Sequence, residues 1–359
     1  MNQKSEKAIA MLILVTIFAA VISCGMTLSA KPASGQAPGT AQGDTCGQTR
    51  PGLSARRELA ASKMPRSMQH ASFFDDSTVS YISGNSLYLS SLRVGGPEVE
   101  FHGHSDHIHD YKAGPDRKRI VTSSADGTLR LWDSRTGECL AVSEPLDTLG
   151  QPRWTMLHEI VYHPDGSKLM TSDMNGLKIW SASDLTLLSE ENSDYFYMTT
   201  GLISPDWKTV CAPVPESYID CAVCERSTGD LLLYLDNRYP LSYSPDGSRI
   251  LAANLESGAM EIYDVNPGTP RGRFSGVWVS SSRIPLKAAA FSPDGCILAS
   301  AQEGGLIRLW DTMDGTGVAE LDWEGHDIDG ICFDAEGGRL LAYDTESGEY
   351  CLWYLRTKE

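Results

Sequence analysis

A Pro-Asp phrase that returns at near-regular intervals constrains this chain more than any other feature. It reads AGPDRK from Ala113, HPDGSK from His163, SPDWKT from Ser204, SPDGSR from Ser244 and SPDGCI from Ser292. Pro followed by Asp, and usually by Gly, is a tight-turn signature, because Pro presets one backbone dihedral and Gly admits a left-handed corner. The turn acids Asp116, Asp165, Asp206, Asp246 and Asp294 stand 49, 41, 40 and 48 residues apart. Weaker copies at Asp76 (FFDDST) and Glu336 (FDAEGG) extend the series by 40 and 42, making seven units. Self-similarity at such a period marks a repeat architecture in which each unit buries its apolar faces against its neighbours.

Each turn lies between short stretches rich in Ile, Val, Leu, Tyr and Ala, and a further stretch such as Thr128–Trp132 or Leu306–Trp310 follows a second turn. Their period-two alternation predicts strands, hence an all-β fold. The composition agrees, with 33 Gly in 359 residues for the turns and 41% hydrophobic residues for a large core. With 30 basic against 47 acidic side chains the net charge is −17, which excludes a nucleic-acid-binding surface, since phosphate neutralisation needs clustered Lys and Arg.

A unit of this length with about four strands and a terminal Trp-Asp resembles the WD-repeat family over residues 68–355, most clearly at 103–137 and 289–317. The resemblance implies a seven-bladed β-propeller of four-stranded antiparallel blades. The last unit, GEYCLWYLRTKE, stops after its third strand. The segment around Arg56 to Met64 is therefore expected to supply the fourth and close the ring, which leaves no open array edge. The family further implies a structural tetrad. In the second unit it comprises His104, Ser124 (or Thr122), Asp126 and Trp132; elsewhere it is eroded, with Trp310 and Asp311 kept beside Gly304, and His326 and Trp353 kept beside Ser347.

Upstream of the repeats, Lys4 and Lys7 precede 23 uncharged residues, Ala8 to Ala30, the plan of a secretory signal or membrane anchor. Val21-Ile22-Ser23-Cys24 is similar to a bacterial lipobox, with Cys24 as the lipidated thiol. Residues 31–55, rich in Gly, Pro, Ala, Ser and Thr, read as a flexible linker, leaving 56–359 for the propeller. The expected location is the cell envelope, membrane-anchored and extracytoplasmic.

Two motifs invite a chemical reading. His102-Gly-His104-Ser-Asp106-His107 matches the HxHxDH phrase with which metal-dependent hydrolases hold two ions that activate water. Here it opens a repeat, where Gly103-His104 is the expected structural dipeptide, so the metal site stands as the alternative and the tetrad as the main reading. His109, His158 and His163 could join His107 in an adventitious site. Cys221-Ala-Val-Cys224 spans a third strand, where residues three apart point to opposite faces, so core thiols are expected rather than a redox pair. No catalytic residues and no cofactor are assigned.

From each turn Pro to the Trp position of the same unit the distance is 16 to 19 residues, whereas from there to the next Pro it ranges from 21 to 32. The variation belongs to connections between blades, which in a propeller emerge on one face. Aromatics and Arg collect there: Arg153, Trp154, Tyr195, Phe196, Tyr197, Arg238, Tyr239, Trp278, Arg283 and Trp323. About half of these are expected to be exposed and to bind a protein or peptide partner. The function anticipated is a non-catalytic, membrane-tethered scaffold, with a carbohydrate- or cell-wall-binding propeller as a further alternative.

Overall fold

The computed structural model describes residues 53–63, 68–93, 96–144, 159–173, 176–191, 202–214, 220–254, 259–265, 272–273, 286–302 and 304–357. Within them the strands form seven four-stranded antiparallel sheets. In blade 2 the strands Ile108–Ala113, Arg119–Ser124, Leu129–Asp133 and Cys139–Val142 pair in chain order, and blades 1 to 6 all follow this meander. First strands of neighbouring blades touch at five of the seven joints and line the axis, so fourth strands form the outer rim. The seven-bladed all-β propeller expected from the repeats is the fold.

The repeated phrase makes the turn between first and second strands. Asp116, Asp165, Asp206, Asp246 and Asp294 each accept a hydrogen bond from the backbone amide two residues on, at 2.8 to 3.1 Å. Gly166, Gly247 and Gly295 hold the left-handed corner that follows, with φ near +70°. Arg117 and Trp207 adopt the same conformation without being glycine. Trp207 thereby drops its indole into the joint between blades 3 and 4.

A second regularity was not visible in the spacing. The outer strands of blades 2, 3, 4 and 6 each begin with a β-bulge that leaves Leu140, Leu188, Leu232 and Val318 without a direct partner. One extra residue at that point bends and twists the edge.

The core is divided among the joints. Seven buried clusters are found, each made of side chains from two neighbouring blades, and together they run round the ring from blades 1–2 to blades 7–1. Cys211 and Cys221 face the blade 4–5 cluster, while Cys224 lies half-buried on the other side of its strand, as alternation demands.

Closure is by the N-terminal strand. Leu53–Lys63 pairs antiparallel with Glu349–Thr357, with Leu53 opposite Thr357 and Lys63 opposite Glu349. The strand begins at Leu53 rather than Arg56, so three residues of the expected linker belong to the sheet. Leu53 lies at the end of the ring that carries the turns between third and fourth strands, so the chain enters the propeller from that face.

Candidate functional site

Antiparallel order places the connections of each blade on two faces. Turns between strands one and two, and three and four, share one face; turns between strands two and three, and the links to the next blade, share the other. The first face is closed on itself. Its Asp side chains bind their own turn amides, and Asp133 and Asp311, which follow the repeat Trp, do the same for Arg135, Thr136 and Met313. The second face carries every link of variable length, from Asp236 and Asn237 between blades 4 and 5 to sixteen residues between Val142 and Glu159.

The tetrad of blade 2 supports this second face. The indole Nε1 of Trp132 donates to Thr122 Oγ1 at 2.9 Å, Thr122 Oγ1 lies 2.7 Å from His104 Nε2, and His104 Nδ1 lies 2.8 Å from Asp126 Oδ2. Donors and acceptors match along the whole chain if Thr122 donates to Nε2 and Nδ1 carries the imidazole proton. Burial raises the Asp126 carboxyl, but hydrogen bonds from His104, Thr128 and Ser105 outweigh it and hold the group well below the usual carboxylate range. Thr122, not Ser124, is thus the hydroxyl link. Ser124 sits at the strand end, where it donates to Asp106 O and accepts from the Asp126 amide, fixing the turn.

That geometry corrects the metal reading of HxHxDH. Both ring nitrogens of His104 are engaged inside the blade, His102 Nδ1 is 3.2 Å from Ser86 Oγ, and His107 pairs with Asp106 at the surface. Among the described residues no group of three or more His, Cys, Asp or Glu is arranged to hold a metal ion. His163 lies on the opposite face, in a first turn beside Trp207, so it cannot join His107. His158 is outside the described residues.

Two half-networks escaped the sequence reading. Trp180 donates to Thr171 and Trp310 to Ser300, each at 2.9 Å. The readable signal was a hydroxyl nine or ten residues before the Trp. In blade 7, His326 stacks on Trp323 with 4.1 Å between centroids and faces Asp344 and Glu349 at 3.8 and 3.6 Å, while Ser347 Oγ accepts the Glu349 amide and the Ser347 amide donates to Asp344. Trp353 meets Trp323 edge to face.

Among the expected partner-binding residues, Arg153, Trp154, Tyr195, Phe196, Tyr197, Trp278 and Arg283 lie outside the described residues, as does Cys24. Arg238 is committed inward: its Nε donates to Glu261 Oε2 at 2.5 Å, and Tyr263 donates to the same carboxylate. Tyr239 is half-buried. Trp323 is not a docking residue, because it is fully buried at the blade 6–7 joint.

The inner strands carry a partly buried polar group that composition did not reveal. Asp110 accepts from the Ile160 amide at 2.9 Å and Glu159 from the Ile203 amide at 2.8 Å, so each carboxylate ties its inner strand to the next blade. Lys112 lies 3.9 Å from Asp110. Burial pushes Glu159 up to about 7, with Lys112 and the Ile203 amide opposing the rise. Burial, with Lys112 and His109, lowers His70 to about 3.

Comparison with known proteins bears on these blades directly. Residues 95–133 and 273–311 match the family described as WD domain, G-beta repeat. Blades 2 and 6 carry WD repeats. Over 253 residues the chain is 21% identical to periodic tryptophan protein 2 of Arabidopsis thaliana, covering 70% of this chain and 22% of that protein. It is 24% identical over 254 residues to polycomb group protein FIE2 of Zea mays, covering 60% of this chain and 65% of that one. The chain therefore spans less than two thirds of either relative. The Myceliophteria thermophila Cps50 (Swd1) beta-propeller domain superposes with a TM-score of 0.63 at 11% identity, covering 85% of this chain and 99% of that domain, which establishes likeness of fold.

Proposed function

We propose that this WD-repeat propeller is a non-catalytic docking platform, tethered to a membrane by its N-terminal segment, that binds protein or peptide partners on the face of the inter-blade links. One observation carries the reading: the first face is made of turns of four to seven residues whose described Asp side chains satisfy their own turn amides, whereas connections on the second range from two to sixteen residues. Variation concentrated on one face of a rigid scaffold is how repeat proteins build recognition surfaces. Several relatives carry names of multi-protein assemblies, such as THO complex subunit 6 and guanine nucleotide-binding protein subunit beta. The apolar run to Ala30 and the lipobox-like Cys24 support the tether.

The test places a photo-crosslinking residue at Asp236 or Glu324 on the link face and at Lys118 or Ser248 on the turn face, all of them exposed, in membranes of the native host. A partner trapped only from the link face supports the reading, and one trapped only from the turn face sinks it. Metabolic labelling with a fatty-acid analogue checks the tether separately. Label on wild type that disappears in Cys24→Ala is the expected outcome, and label retained by the variant refutes lipidation at that residue.

A further inference from the structure

An outer strand is a sheet edge with unpaired backbone groups, and proteins protect such edges with charge. Blades 1, 6 and 7 do so. Glu98 and Glu100, then Glu320 and Asp322, then Arg56 and Arg57 stand exposed on their outer strands. The outer strands of blades 2, 3 and 4 differ. Cys139–Val142 exposes Leu140 and Val142, Leu187–Glu191 exposes Leu187 and Leu188, and Leu231–Leu235 exposes Leu231 and Tyr234, each between 41% and 60% accessible. The only other large apolar side chains so exposed among the described residues are Met313 and Tyr354. The bulges contribute, since Leu140 and Leu188 are the unpaired residues turned out by them.

Each of these three consecutive edges presents a pair of exposed apolar side chains on one outer strand, which marks the edges as interaction surfaces rather than scattered exposure. Their surroundings select the occupant. Glu138, Glu144, Asp184, Glu190, Asp230 and Asp236 are exposed along the same turns and strands, and Arg135 is the one exposed cation there among the described residues. A second copy of this chain would set carboxylates against carboxylates, and the chain as a whole carries −17. An anionic lipid surface is repelled for the same reason.

We infer that the rim of blades 2 to 4 is a second docking surface, distinct from the link face, and that it takes an extended segment of a partner protein in which aliphatic side chains alternate with Lys or Arg. On a given blade the segment's backbone pairs with the outer strand, its aliphatic groups cover that strand's exposed pair (Leu140 and Val142, Leu187 and Leu188, or Leu231 and Tyr234), and its cations meet the carboxylates beside that strand. This is strand addition to an open edge.

The experiment uses the full chain and two short synthetic peptides, one alternating lysine with valine and leucine, the other glutamate with the same residues. Binding is read by fluorescence anisotropy at physiological ionic strength. The lysine peptide is expected to bind saturably and the glutamate peptide not to bind. The triple variant Leu140→Lys, Leu188→Lys, Leu231→Lys should weaken the lysine peptide by about tenfold or more. The corresponding Gln variant, which adds no charge, should weaken it as well; circular dichroism and melting confirm that both stay folded. Four outcomes overturn the inference: unchanged affinity in both variants; equal binding of the two peptides; a wild-type dimer in sedimentation that the Gln variant abolishes, which makes a second copy the occupant; or co-flotation with phosphatidylcholine vesicles that the Gln variant abolishes, which makes it lipid.

Discussion

At the scale of single residues, the two readings of His104 separate through its neighbours. Removing Thr122 Oγ1 strands both the Trp132 indole and His104 Nε2 in a buried position, which costs about 1–3 kcal/mol. Thr122→Ala should therefore lower the urea midpoint far more than Ser124→Ala, Thr122→Ser should recover most of the loss, and chelator should change none of the melts. Equal effects of the two alanine variants would move the link back to Ser124. Glu159 offers a test by pH. Its folded pKa, about 7, lies above the ordinary 4.5, so its contribution is fully present below about 4.5 and is lost as pH rises through 7. The groups around it are Lys112, Asp110 and the Ile203 amide, with Tyr243 within electrostatic reach. Glu159→Gln keeps an acceptor for that amide without the charge. The variant should gain on wild type by on the order of 1–2 kcal/mol between pH 5 and pH 8. A parallel pH dependence in the two proteins would show that Glu159 does not carry this linkage.

At the scale of the strand, what the sequence made legible depended on how local the cause was. The turn phrase acts within six residues, so its Pro, Asp and Gly could be read directly, and with them the blade count. The closing strand was readable for a different reason: a unit short of one strand, in a closed ring of four-stranded blades, must find it elsewhere. The tetrad hydroxyl was only half-readable. Thr122 and Ser124 share a strand face, and register alone brings Thr122 beside the Trp132 indole. The outer-strand bulges and the axial ties from Asp110 and Glu159 depend on a neighbouring strand or blade, which no single stretch encodes. Trp323 was misread because an aromatic in a link can equally cap a joint, and here it is held between Trp353 and His326. The closing strand also carries its own prediction. Deleting residues 1–45 spares Leu53–Lys63 and should leave a monomer with unchanged melting, whereas deleting residues 1–67 bares the Glu349–Thr357 edge and should aggregate. Size-exclusion profiles that do not differ would mean the ring closes without this strand.

At the scale of the whole molecule, stability resides in the joints, because each apolar cluster is shared by two blades and no blade owns a complete core. Arginines reinforce four of the seven joints. Arg119 reaches Ala182 O from blade 2 to 3, Arg226 pairs with Glu191 between blades 4 and 3, Arg249 spans blades 5 and 6, and Arg339 bonds Asp76 from blade 7 to 1. Nearest-neighbour coupling of this kind lets a linear array unfold piecemeal, but a closed ring denies it a free end from which to fray. Weakening one joint should then lower the stability of all seven blades together. Arg249 is the cleanest probe: it is buried, and its guanidinium donates to Thr312 Oγ1 at 3.0 Å and to Gly295 O at 2.8 Å. Arg249→Ala leaves the Gly295 carbonyl without this charged donor and opens space at the joint, a loss of about 2–3 kcal/mol. In calorimetry the variant should melt earlier than wild type yet in one transition, with calorimetric and van't Hoff enthalpies still equal. Two resolved transitions would show that blades 5 and 6 come apart before the rest, and the ring would then be a chain of independent joints rather than one cooperative unit.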